Sequence, residues 1–400
     1  MLYVHIPFCD YICSFCALNR IIAPQDVKER YIDALEREIQ FFAETPYGRS
    51  LSFRAIYIGG GTPTSLSPQQ LDRVLSMLRK YLNVRSDVEF TCEGTTQSFT
   101  SEMVGVLKAN GVNRVSTGIQ SFNGGLRQQH LNMKFDAAEV LSYLAGIRDQ
   151  FPNFNIDLIY NMPQQGCDVW AEDLDIALSA GSRHLTMNPY VHLRNTKLHT
   201  KEKKGLYPYP EQDEEIRCFE LALAKLKGTP LEHQYSVRDW SGVDDYCRYI
   251  VLNSYSNDVI AFGAGAYGYI DGCSYKCFSK VDDYIEAVTA RDGFGMEKYY
   301  LCTHFEKMQR YMVMGLRLQH LDMTPFQKRF GLDWRVVFGE KLADLEYSGF
   351  IAIDDDSIHT LPEGVVWGNN LRAEFAEEWK FSFVGYGLIG DGPAGRGNYV

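Results

Sequence analysis

Six short β-rich runs alternating with amphipathic helical segments constrain this chain more than any other feature of its first half. The runs are residues 2–5, 55–58, 88–92, 114–117, 155–159 and 184–187. Between them, residues 27–42, 71–82, 101–109, 137–148 and 169–179 repeat apolar side chains at helical spacing. Ser67 followed by Pro68 predicts a capped helix start, because the hydroxyl accepts an orphan N–H and proline's fixed φ suits the first turn. This alternation predicts an α/β fold, a parallel sheet curling into a partial (β/α)6 barrel over residues 1–235. Sheets of this kind carry their chemistry at the strand C-terminal ends. The notable residues fall there: three cysteines after the first run, residues 59–62 after the second, Glu93 after the third and Gln120 after the fourth.

The pattern changes further along. Residues 201–213 are charged and contain Pro and Tyr, which predicts a long connection or lid. A helix near 214–227 and a strand near 233–237 follow. Residues 236–300 read as an α/β extension with a Gly-rich tight turn at 258–268. From residue 301 to 400, helical segments at 305–316, 325–330 and 334–348 precede two hairpin arms, 350–353 and 357–361. That order predicts a small C-terminal helical, winged-helix-like domain. Its wing carries Asp354, Asp355 and Asp356, and the whole chain has a formal net charge of −11. Both argue against a nucleic-acid partner held by a basic surface. No run of 18 apolar residues predicts a membrane span. The apolar start has no basic leader, so no signal peptide is expected, and ten cysteines then point to a reducing cytoplasm.

The strongest chemical signal is Cys9-Asp-Tyr-Ile-Cys13-Ser-Phe-Cys16. Three thiolates on one loop can hold three corners of a 4Fe–4S cube and leave the fourth iron without a protein ligand. An open iron suits a chelating amino acid end such as that of S-adenosylmethionine. The same thiols can also bind zinc or stay as buried free thiols, although zinc favours paired spacing and four closed ligands.

Four segments in order, YVHIPFCDYICSFC, YIGGGTPT, RVSTGIQSFN and IDLIYNMP, resemble the radical S-adenosylmethionine family of oxygen-independent coproporphyrinogen dehydrogenase. Relatives of that family include a heme chaperone and the anaerobic heme-degrading methyltransferases. The resemblance covers roughly residues 1–320. It implies a 4Fe–4S cluster on Cys9, Cys13 and Cys16, one or two molecules of S-adenosylmethionine, and a flavodoxin- or ferredoxin-type electron donor. It also implies that Gly59, Gly60, Gly61 and Thr62 admit the methionine end of the nucleotide. Phe15 would pack on adenine, Tyr3 would lie near the cluster, and Glu93, Gln120 and Asp157 would bind ribose and methionine groups. Taken alone, Gly-Gly-Gly-Thr is equally a turn, and a lone acid at a strand end is usually solvated.

The sequence departs from the family's pattern in places. Asn132 stands where the family often has an arginine, with Arg127 and Lys134 nearby. Ala17 and Leu18 follow Cys16 where the coproporphyrinogen dehydrogenase has a further cysteine, and that enzyme's N-terminal extension is not expected. The chaperone's His-containing signature reads Val-Leu-Asn-Ser-Tyr-Ser at 251–256. The Gly-rich turn at 261–266 is similar to that of the methyltransferase branch. The resemblance therefore implies methyl transfer to an sp2 carbon of heme, a porphyrin or another planar substrate, with heme ring opening as one outcome. The abundance of Tyr (25) and Phe (23) suits such a ring. Heme chaperone activity, coproporphyrinogen decarboxylation and methylation of a quinone or other aromatic are the alternatives. Cys273 and Cys277 form a second close pair that would need Cys247 or Cys302 to hold a cluster. His192, His199, His233 and His304 are candidate substrate contacts, and Arg194 and Lys197 are candidates for propionates.

Overall fold

In the computed structural model, residues 1–376 are described, apart from Lys134, Phe135, His192, Asn195, Pro210, Arg291 and Asp292. Six parallel strands form the frame: β1 (Leu2–Ile6), β2 (Phe53–Gly60), β3 (Val84–Gly94), β4 (Arg114–Gln120), β5 (Phe154–Tyr160) and β6 (His184–Pro189). Short strands follow: β7 (His233–Gln234), β8 (Asp239–Ser241) and β9 (Ile260–Phe262). The nine strands make one sheet in the order β7-β8-β6-β5-β4-β3-β2-β1-β9. Tyr57, Thr91, Ser116, Asp157 and Thr186, from five successive strands, line one cavity, so the sheet curls round it as a partial barrel.

One face of each central strand is apolar and carries the helices. Leu2, Val4, Ile56, Ile58, Phe90 and Ile156 are fully buried in the main core. Helix Gln25–Glu44 covers this side with Tyr31, Leu35 and Ile39. Helix Pro68–Tyr81 starts as its sequence predicts: the Ser67 side chain accepts from Gln70 N–H, and Pro68 opens the first turn. The opposite face is polar and lines the lumen.

The second half departs from the sequence reading at β9. Rather than a turn alone, residues 260–262 form a seventh parallel strand, pairing Leu2 with Ile260 and Val4 with Phe262. The turn after it carries Gly263 (φ +99°) and Gly265 (φ +85°), where a side chain would be strained. Glu38 fastens this region from below. Its carboxylate accepts from Tyr284 Oη at 2.6 Å, Gly295 N–H at 2.8 Å and Gly263 N–H at 3.2 Å. Beyond it, β10 (Tyr267–Ile270), β11 (Cys273–Cys277) and β12 (Met296–Leu301) form an antiparallel sheet. The barrel floor is closed by helix Arg248–Ser254, whose first-turn N–H groups of Arg248 and Tyr249 donate to Glu89 at 2.8 and 3.0 Å.

The C-terminal unit runs helix His304–Gly315, β13 (His320–Asp322), helices Thr324–Phe330 and Trp334–Tyr347, β14 (Ile351–Ile353) and β15 (Ser357–Thr360). Its sheet order is β13-β15-β14. This is the winged-helix arrangement, with the acidic turn between β14 and β15 as the wing. It has its own core, built on Tyr311, Met312, Leu321, Phe326, Trp334 and Ile358. We propose the division 1–235, 236–300 and 301–400, in which the last part has its own core while the middle part shares the barrel's core and lends β8 and β9 to its sheet. Among the described residues, no helix is long and apolar enough to cross a membrane.

Candidate functional site

The cysteine loop leaves β1 and is tied down on three sides. Gly61 N–H donates to Ile6 O at 2.8 Å, Thr62 N–H to Phe8 O at 2.7 Å and Cys9 N–H to Ile21 O at 2.9 Å. In the middle, Ser14 N–H and Oγ both donate to His130 O, at 2.9 and 2.8 Å. At the far end, Asn19 Nδ2 donates to Ala264 O and Ser279 O, each at 2.9 Å, while His5 Nε2 meets Asn19 O at 2.8 Å. The loop thus bridges β2, the turn after β4 and the Gly-rich turn after β9.

These ties present Cys9, Cys13 and Cys16 together as partly exposed free thiols. Burial pushes the Cys13 thiol up to about 12, and the charges of Cys16 and Cys9 push the same way. Arg20 opposes that rise at all three thiols. It donates to Leu18 O at 2.9 Å and also to Cys16 O. Among the described residues, the group able to close round a single ion is Cys167, Glu214 and Cys218, not this loop. The loop thiols are close enough to feel one another's charge. Three thiols on one loop can hold three corners of an iron–sulfur cube, whereas a structural zinc site takes four closed ligands.

The rim beside the loop is shaped by glycine. A Cβ at Gly61 would meet Phe8 O at 2.6 Å and Cys9 Sγ at 3.0 Å. A Cβ at Gly59 would meet the Glu93 carboxylate at 2.7 Å. Thr62 Oγ1 lies 3.6 Å from Cys9 Sγ. Glu93, at the end of β3, accepts from Tyr57 Oη at 2.6 Å and Gly60 N–H at 3.2 Å. Burial raises its pKa to about 7; the Tyr57 hydrogen bond opposes this and the Asp157 charge adds to it.

The other predicted residues occupy the same rim and lumen. Tyr3 stacks on Tyr57 at 6.4 Å and bonds His5 Nδ1 at 3.0 Å. Gln120 ends β4 in a left-handed conformation (φ +67°), its amide lying over Gly118. Asp157 accepts from Ser116 Oγ at 3.0 Å and Asn155 Nδ2 at 2.7 Å; burial raises its pKa to about 6. Phe15 packs on an apolar cluster of Leu126, Ile159, Met162, Tyr190 and Leu198.

The remaining candidates differ in exposure and partners. Arg127 is fully buried and donates to Ile119 O and Ser121 O, so it holds the turn after β4 and is not offered to a ligand carboxylate. Asn132 is exposed at a left-handed helix end. Cys273 and Cys277 stand at opposite ends of β11, about 13 Å of strand apart, with Cys277 buried. His233, His304, Arg194 and Lys197 are exposed and His199 is half-buried. His192 and Lys134 lie outside the described residues. Sequence reasoning missed Asn19, Arg20 and Tyr57. The signal for Tyr57 was its place two residues before Gly59, which puts both on one face of β2. Asn19 and Arg20 were polar residues within four of Cys16.

An open parallel barrel with a three-thiol loop over its C-terminal rim defines a radical S-adenosylmethionine protein. Residues 3–174 match the Radical SAM superfamily, and residues 302–367 match the HemN C-terminal domain. The chain is 28% identical to the heme chaperone HemW of Bacillus subtilis (strain 168), over 94% of this chain and 99% of that protein. It is also 28% identical to the oxygen-independent coproporphyrinogen III oxidase of Escherichia coli (strain K12), over 91% of this chain and 82% of that one. It is 31% identical to the anaerobilin synthase of Escherichia coli O157:H7, over 72% of this chain and 65% of that protein. The solved structure of the Escherichia coli coproporphyrinogen III oxidase HemN matches with a TM-score of 0.81 at 25% identity, covering 94% of this chain and 89% of that chain. The chain carries a Radical SAM domain and a HemN C-terminal domain, and its relatives match the HemN/HemW-like radical S-adenosylmethionine family. The family implies a 4Fe–4S cluster and S-adenosylmethionine.

Proposed function

We propose that this protein is an enzyme that transfers a methyl-derived carbon to an sp2 carbon of heme or a similar planar conjugated substrate, with anaerobic opening of the heme ring as one outcome. Identity alone does not separate the relatives. The observation that carries the choice is the helix Arg248–Ser254. Where the chaperone's His-containing signature would stand, this helix buries Asn253 and Ser254 and supplies no histidine. Ala17 and Leu18 argue in the same direction against coproporphyrinogen decarboxylation. The similarity to anaerobilin synthase and the aromatic content support a planar acceptor.

Cys9, Cys13 and Cys16 would hold the cluster, leaving one iron for S-adenosylmethionine. When bound, that pair supplies one-electron reductive chemistry. The chain's own residues orient it. Gly60, Gly61 and Thr62 let backbone approach the methionine end, and Glu93, kept in place by Tyr57, accepts from the ammonium or ribose hydroxyls. Phe15 offers an aromatic wall to adenine, and Gln120 and Asp157 complete the polar ring, with Tyr3 beneath. A second S-adenosylmethionine as methyl source, a flavodoxin- or ferredoxin-type donor and a cytoplasmic setting belong to the same reading.

The test is anaerobic turnover of reconstituted protein with reductant, S-adenosylmethionine and heme. The reading expects 5′-deoxyadenosine and S-adenosylhomocysteine together, with loss of the heme absorbance. Heme binding without either product points to a chaperone. Carbon dioxide from coproporphyrinogen without S-adenosylhomocysteine points to decarboxylation.

A further inference from the structure

The lumen holds a cavity of about 180 Å3 that runs from the barrel floor to the seam with the C-terminal unit. It is too small for a macrocycle and large enough for one short side arm. Its wall includes Arg114, Arg238 and Arg317. Arg238 precedes β8, and its Nη1 donates to Asn188 Oδ1 at 3.1 Å. Arg317 comes from the C-terminal unit, where Val237 N–H donates to its carbonyl at 2.8 Å and fixes the seam. Behind it, Arg372 is 1% exposed. Its Nε donates to Val313 O at 2.7 Å, and its Nη2 is buried without a partner. Arg114 Nη2, on the lower wall, is likewise buried and unpaired.

Burial, and then the charges of Arg317 and Arg238, hold the Arg372 guanidinium well below its ordinary pKa. Burial, and then Arg317, lower that of Arg238. Like charges gathered at depth repel one another and lack the hydrogen bonds that water would give them. Of the two carboxylates on the cavity wall, Asp239 offsets part of the repulsion at Arg238 without preventing its pKa from being lowered, and both acids are already hydrogen-bonded. Asp157 is engaged by Ser116 and Asn155, and Asp239 by Thr186 and Ser236. A monoanion fits beside these acids better than a dianionic phosphate, and a guanidinium fork suits a carboxylate.

We propose that Arg238 and Arg317, backed by Arg372, clamp a carboxylate arm of the substrate inside the barrel while its ring stays at the rim. This rests on the planar-substrate reading and adds to it the carboxylate that such a substrate must carry. Asn132 stands where the family often has an arginine, and the clamp at the domain seam would supply that missing charge.

Two probes separate the clamp from the reading beneath it. The first titrates hemin and hemin dimethyl ester into the reconstituted full chain, followed by absorbance. The clamp predicts about tenfold tighter binding of hemin than of the ester, and about tenfold loss of hemin affinity but no change for the ester in Arg317→Gln, with partial recovery in Arg317→Lys. Equal binding of acid and ester by the unaltered protein overturns it. The second probe is sodium propionate alone, read as thermal stabilisation of the unaltered protein and of Arg317→Gln. Stabilisation of the first only supports the clamp even if hemin fails to bind, in which case the heme reading falls. Absence of stabilisation together with equal porphyrin binding removes the clamp and leaves the heme reading standing.

Discussion

Glu93 is a carboxylate at depth whose partners, Tyr57 and the Gly60 N–H, come from the neighbouring strand. Glu93→Gln keeps the shape and removes the charge. It should weaken S-adenosylmethionine binding about tenfold, the worth of one charged hydrogen bond, in equilibrium dialysis of reconstituted protein. Tyr57→Phe should act in the same direction and less strongly, because it loosens the acid without removing it. Gly61 is constrained differently. With Phe8 O and Cys9 Sγ within 3.0 Å of its missing Cβ, Gly61→Ala must displace the first cysteine. Iron retention under chelator should weaken about tenfold in that variant while the fold, by circular dichroism, stays intact.

At the scale of elements, the cysteine loop depends on parts of the chain far from it in sequence. Asn19 bonds two carbonyls of the Gly-rich region, and Gly263 leaves room for Tyr31 Oη and His5 O, which a Cβ would meet at 2.4 and 2.5 Å. Gly263→Ala should therefore cost about 2–4 kcal/mol in urea unfolding, since it adds strain at a positive φ to a steric clash. Asn19→Ala should cost less stability and mainly lower cluster occupancy after reconstitution. The six barrel strands were legible because their periodicity and caps are local, as Ser67 and Pro68 show. The winged order was legible because helix and hairpin patterns are local too. The strand at 260–262 was not, because three residues beside a Gly-rich turn carry no period, and their strand character comes from pairing with Leu2 and Val4. The role of Arg127 was not legible for a related reason: only packing shows that its charged side chain serves backbone carbonyls.

At the scale of the molecule, Glu38 ties helix Gln25–Glu44 to the Gly-rich turn and to Gly295, so three distant segments depend on one buried acid. Its pKa is raised to about 7, chiefly by burial, from an ordinary value of 4.5. A raised acid pKa stabilises the fold most fully below the unfolded value and loses that contribution as pH rises through the folded one. Unfolding free energy should therefore fall between pH 5 and 8, and the fall should be smaller in Glu38→Gln by at most about 3 kcal/mol. The C-terminal unit has its own core, in which Trp334 is 2% exposed. Trp334→Ala should cost about 3–5 kcal/mol in urea unfolding.

The most direct measurement is iron, sulfide and nucleotide cleavage on the same anaerobic preparation, for the unaltered protein and for serine at each of positions 9, 13 and 16. The unaltered protein should hold about four iron and four sulfide per chain and, with reductant, convert S-adenosylmethionine to 5′-deoxyadenosine, while each serine variant yields none. Cleavage that survives any one of the three replacements, or a protein that takes up zinc and no sulfide, would contradict the assignment.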